Sequence, residues 1–102
     1  MLLLNAQSSA AVITGAERKV PLAGIYYLVV QATDYDDTEV NVYVTVGGMT
    51  FKIKETDGTE VSDVAADASY LVQVPRGATV RAETGDPTTG TVAVSVGLFY
   101  AS

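Results

Sequence analysis

The stretch Thr33-Asp-Tyr-Asp-Asp-Thr-Glu-Val40 sets four carboxylates, Asp34, Asp36, Asp37 and Glu39, into eight positions of a 102-residue chain with no histidine and no cysteine. Carboxylates at this density can gather calcium, supply half of a catalytic pair, or solvate a turn. Calcium takes about six to eight oxygen ligands, and an EF-hand loop beginning at Asp34 requires glycine at its sixth position and glutamate at its twelfth. Those positions hold Glu39 and Thr45. The EF-hand pattern therefore fails. Asp34, Asp36 and Asp37 could still join a loop-built calcium site with the second acidic stretch of Glu55, Asp57, Glu60, Asp63 and Asp67. The reading adopted is no metal site. The stretch is a solvated loop, and its charges discourage edge pairing of the valine-rich strand that follows.

Other site chemistries lack their parts. A glycosidase needs two carboxyl groups facing across a cleft, one with a raised pKa, and a packed domain of this size has little room for such a cleft. Serine and threonine are plentiful, but without histidine the usual general base is missing, and Lys52 and Lys54 alternate outward on a strand where desolvation would not activate them. Zinc lacks its imidazole and thiolate ligands. Gly47-Gly48 and the Gly85 to Gly90 loop lie between strands rather than before a helix, so neither is a phosphate-binding loop. The expectation is a protein that is not an enzyme and holds no cofactor.

Composition bounds what remains. The length suits one domain, residues 1–102, with 1–14 available as an extended amino-terminal arm or edge strand. The longest apolar run, residues 23–30, falls short of the ~20 residues of a membrane span, and the amino end lacks the basic and hydrophobic regions of a secretion signal. Six basic residues against twelve acidic ones give a net charge of −6, and the basic residues are scattered. A polyanion would be repelled, so neither nucleic acid nor membrane is an expected partner.

The dominant period is two. In Glu39 to Val46 every even position is valine and every odd one polar or amphipathic, which a pleated strand turns into a buried and a wet face. Met49 to Glu55 continues the pattern with Phe51 and Ile53 inward, and Gly47-Gly48 between them suits a tight hairpin. Ser69 to Val74 and Ala78 to Glu83, joined by Pro75-Arg76-Gly77, read as a second hairpin. The final segment turns Val92, Val94, Val96 and Leu98 to one side. Its other side, Ala93, Ser95 and Gly97, is small enough for another chain or sheet to approach closely. Leu2 to Leu4, Ala11 to Thr14, Arg18 to Leu22 and Gly24 to Ala32 complete the strands. Residues 25–30, apolar on both faces, are placed centrally, and Asp63 to Ala68 has room for one helical turn. About eight short antiparallel strands at a spacing near ten residues indicate an all-β single domain, a β-sandwich or jelly roll.

Six tyrosines are many for this length, and tyrosine is favoured where a surface meets a partner or a sugar. Tyr35 in the acidic loop and Tyr43 on the polar side of its strand are the expected exposed pair. The string Gly24-Ile-Tyr-Tyr-Leu-Val-Val30, the valines of 40–46, Tyr70-Leu-Val-Gln-Val-Pro-Arg-Gly-Ala-Thr-Val-Arg81 and the closing 92–98 strand together resemble small β-sandwich structural proteins of tailed bacteriophages. The resemblance implies a virion component, a decoration or cement protein on the outer capsid surface that reinforces contacts between subunits of the major capsid protein. Such proteins are often trimeric homo-oligomers, and their amino-terminal segments commonly reach a neighbour. That would make Leu2, Leu3 and Leu4, with Tyr35 and Tyr43, the contact candidates. A tail, baseplate or head-fibre component and a carbohydrate-binding module are the alternatives. If the acidic stretch is only a solvated loop, neither excess calcium nor a chelator will move the thermal midpoint; a calcium-dependent rise would restore the metal reading.

Overall fold

A computed structural model describes residues 2–5, 17–34, 39–85 and 93–102. Among these, the strands are β1 (Leu2–Asn5), β2 (Arg18–Lys19), β3 (Gly24–Asp34), β4 (Val40–Val46), β5 (Met49–Lys52), β6 (Lys54–Glu55), β7 (Ala68–Val74), β8 (Thr79–Thr84) and β9 (Ala93–Tyr100). One sheet has the order β1-β9-β3-β7-β6 and the other β2-β8-β4-β5. All strand pairs are antiparallel. The protein is an all-β sandwich. No helix occurs among the described residues, and so none is long and apolar enough to cross a membrane.

The alternation in the sequence becomes the packing. Val40, Val42 and Val44 of β4 and Val80, Ala82 and Thr84 of β8 turn inward from the smaller sheet. Tyr26, Leu28 and Val30 of β3, Val72 and Val74 of β7, and Val94, Val96 and Leu98 of β9 meet them from the larger one. Each buried valine or leucine among them gains about 1.5–3 kcal/mol by leaving water, so a period-two valine pattern suffices to select the face. β3 is central, as its two apolar faces predict, and pairs with β7 on one side and β9 on the other.

Three local expectations change. The segment from Met49 to Glu55 is one run that serves both sheets. β5 pairs with β4, and after Ile53 the chain pairs with β7 as β6. Ile53 is fully buried at the crossing; its N–H donates to the Val42 carbonyl (2.9 Å) and its carbonyl accepts from Val61 N–H (2.9 Å). The two segments flanking Pro75-Arg76-Gly77 do not form a hairpin. β7 belongs to the larger sheet and β8 to the smaller, so the turn arches across the core, and Val72 and Val74 face Ala78, Val80 and Ala82 through the sandwich. Turn chemistry serves a hairpin and an arch alike, and burial on the inward side of both strands selects the arch. Finally, residues 63–68 form no helical turn. Val64 instead bridges Val40 with hydrogen bonds in both directions (2.8 and 2.9 Å), and only Arg18–Lys19 of the expected 18–22 strand pairs. The Ala11 to Thr14 strand lies outside the described residues.

The Gly47-Gly48 hairpin is as expected, with φ of 60° and 78° in the region a two-residue primed turn requires. Gly24 has a different reason for being glycine. Its φ is 153°, and a Cβ there would stand 2.6 Å from the Ser102 carbonyl oxygen, which accepts a 2.8 Å bond from Ile25 N–H. Gly24→Ala should therefore cost about 1–3 kcal/mol. Gly47→Asn, in open space at an angle asparagine tolerates, should stay within about 0.5 kcal/mol. Chemical denaturation of both variants checks the contrast, and equal midpoints would remove the packing argument.

Candidate functional site

The acidic stretch contributes only its margins to the described structure. Asp34 ends β3 and Glu39 precedes β4, whereas Tyr35, Asp36 and Asp37 lie outside the described residues. Among the described residues, no three acidic side chains cluster closely enough to hold a metal ion. Of the contact candidates in the amino-terminal strand, Leu3 is buried in the core of its own chain. Leu2 and Leu4 pair with Gly97 and Val96 of β9 through their backbone. Tyr43 is half-buried rather than free, with the Arg81 guanidinium stacked 4.9 Å from its ring centre.

That stack belongs to the outer face of the smaller sheet, which is polar and internally paired. Arg81 also reaches Glu17 (4.0 Å) and Glu83 (3.9 Å). Lys52 donates to Ser62 Oγ (2.7 Å) and lies 3.7 Å from Asp63, while the Thr45 and Thr50 hydroxyls pair at 2.8 Å. Asp63 is the residue that closes this network. Its φ of 54° is held by two bonds to one side chain: its N–H donates to Asn41 Oδ1 (2.8 Å) and its carboxylate accepts from Asn41 Nδ2 (3.2 Å). The Asn41 amide, aided by the Lys52 charge and opposed by desolvation, holds the Asp63 carboxyl below its ordinary value of 3.8. The Thr59 N–H bond to Asp57 (2.9 Å) lowers that carboxyl in the same way. Neither group has the raised pKa of a general acid.

The outer face of the larger sheet is of the opposite character. Register places Tyr27 of β3 directly between Leu71 of β7 and Phe99 of β9. The three are 49%, 44% and 49% exposed. This is a ridge of large apolar side chains standing in water across three strands. The adjoining row holds Ser69, Val29 and Gly97, with Leu2 paired beyond Gly97, and Gly97 is buried. On either side of these rows lie Ile25 with Gln73, and Gln31 with Ser95. The rows from Gln73–Ile25 to Gln31–Ser95 hold no charged residue within β3, β7 and β9, and Asp34 pairs with Ala93 at the end of β3. The register places Lys54 on the same face of β6, at its rim, where its ammonium lies 5.7 Å from the centre of the Phe51 ring.

At one end of the face, Gly24, Ile25, Phe51, Lys54, Gln73, Val74 and Pro75 line an open groove of about 480 Å³. Lys54 is the one charged residue among those that line it. Alternation of the sequence assigns Tyr27, Leu71 and Phe99 to an outer face. That they form one row depends on the pairing of β3 with both β7 and β9, which the sequence pattern does not specify.

The fold and this face define the class, an antiparallel β-sandwich with one charge-paired outer face and one crossed by a half-exposed apolar row. No protein-family model, curated protein or solved structure matches the chain.

The pH consequence follows from the lowered carboxyl of Asp63. A depressed folded-state pKa contributes stability above the unfolded value near 3.8, and that stability is lost as pH falls through the lower folded value. Asp63→Asn keeps a residue suited to positive φ but removes the charge. Its thermal midpoint should lie below that of the native chain at neutral pH, and the two should converge in acid. A gap that persists unchanged below the folded-state pKa would contradict the assignment.

Proposed function

We propose that this chain is a non-enzymatic structural protein of a phage particle, a decoration or cement protein seated on the outer capsid surface, where it reinforces contacts between subunits of the major capsid protein. The observation that carries the reading is the division of charge between its two outer faces. On the smaller sheet the described charged groups largely satisfy one another. On the larger sheet a half-exposed row of Leu71, Tyr27 and Phe99 crosses three strands, with no charged residue in the rows beside it. Surfaces that bury against protein lose charged residues at their centres and gain aromatic ones. Association would remove the solvation cost of this row.

The virion location comes from the family resemblance of the sequence, and the sandwich accords with it. A sugar-binding reading would use Tyr43, but Arg81 already covers that ring.

Particles purified from the host that carries this sequence test the proposal. Mass spectrometry should find the chain at a stoichiometry set by the capsid lattice, and electron microscopy should locate it on the outer shell. Particles lacking it should release their contents at lower temperature. A chain that remains in the soluble fraction while complete particles assemble without it would overturn the proposal.

A further inference from the structure

We propose that Asp57 is the residue at which this chain is modified spontaneously, to isoaspartate, and that the turn around it confines the reaction to the moments when the turn opens. Among the aspartates and asparagines of the sequence, Asp57 alone is followed by glycine, the residue whose backbone nitrogen approaches the preceding side chain with no Cβ in the way. In the reaction the Gly58 nitrogen bonds to Cγ of Asp57, and the amide hydrogen leaves with the carboxyl hydroxyl as water. Water then opens the resulting cyclic imide at either carbonyl. Opening at the main-chain carbonyl leaves the backbone running through the Asp57 side chain.

The reacting groups are exposed but engaged. Asp57, Gly58 and Thr59 stand in water beyond β6, and Gly58 has a φ of 90° with open space where a Cβ would be. Nothing covers the bond that would form. In the closed turn, however, Gly58 N–H donates to the Glu55 carbonyl (2.9 Å) and Asp57 Oδ1 accepts from Thr59 N–H (2.9 Å). The nitrogen must give up the first bond and the carboxyl the second before the imide can close, so the folded chain reacts through local opening. The lowered carboxyl of Asp57 acts in the same sense, because the hydroxyl leaves from the protonated acid. The product does not fit the turn. Glu55 N–H donates to the Thr59 carbonyl (2.7 Å) and Val61 N–H to the Ile53 carbonyl (2.9 Å), and isoaspartate lengthens the main chain between these fixed pairs. Ile53 is where the chain changes sheets, so the misfit reaches the core.

Ageing the full chain in mildly acid buffer, folded and in parallel unfolded in urea, tests this, with isoaspartate located by fragmentation mass spectrometry. It should appear first at residue 57, and roughly tenfold or more slowly in the folded chain. Thr59→Pro removes the N–H that holds Asp57 but keeps the carbonyl that Glu55 uses, and should bring the folded rate toward the rate in urea. Independently of that variant, urea added below the unfolding transition should speed hydrogen exchange at the Gly58 amide and ageing together. The separated isoaspartate form should melt about 4 °C or more below the native chain, whereas Asp57→Ser, which cannot form the imide, should keep its midpoint through ageing. Equal rates in the folded chain and in urea, isoaspartate arising first at another residue, ageing that ignores both Thr59→Pro and the opening of the Gly58 amide, or a modified chain with the native midpoint would each overturn the proposal.

Discussion

The sandwich depends on the burial of two opposed sets of small branched side chains, with no wide aromatic core to hold them. Valine fills most inward positions of β4, β7, β8 and β9, and its stiff, compact side chain packs well on a pleated surface. Such a core can be closed only if the strands are joined across the layers as well as within them. In chain order the strands change sheet six times, between β1 and β2, β2 and β3, β3 and β4, β5 and β6, β7 and β8, and β8 and β9. The Pro75 to Gly77 turn arches from one sheet to the other, and the run through Ile53 changes sheets in mid-strand.

What distinguishes the molecule is how differently its two outer faces are finished. Asn41, Asp63, Lys52 and Ser62 form a connected polar patch on the smaller sheet, and Arg81 covers Tyr43 beside it. Individually such exposed contacts are worth about 0–1 kcal/mol, but together they leave little for a partner to satisfy. The larger sheet has no equivalent. Its apolar row of Leu71, Tyr27 and Phe99 remains about half-exposed in the isolated chain.

Much of the fold is legible in the sequence because its physics is local. Period-two valines assign the inner face of β4 and β9, the diglycine gives the β4–β5 turn, and apolar residues on both sides of β3 give its central place. The β7–β8 connection is misread because Pro-x-Gly fixes the path of three residues but not the sheet the chain enters next. The crossing at Ile53 is hidden for a related reason. Alternation continues through it without a break, and only the hydrogen-bond partners change. The apolar row of the larger sheet is legible least. Carboxylate density draws attention to Asp34, Asp36 and Asp37, and polarity to Tyr43, whereas the ridge exists only once three strands distant in sequence are brought into register. The small side of β9, read from the sequence as a place of close approach, is the one element of that face visible beforehand.

The central claim is that the half-exposed row of Leu71, Tyr27 and Phe99 serves a contact rather than the stability of the chain, and a variant that separates the two tests it most directly. Phe99→Lys, at a position 49% exposed, should leave the denaturation midpoint of the isolated chain nearly unchanged and abolish its retention on purified particles. A variant that is retained on particles as the native chain is, or one that unfolds well before the native chain, would contradict the account.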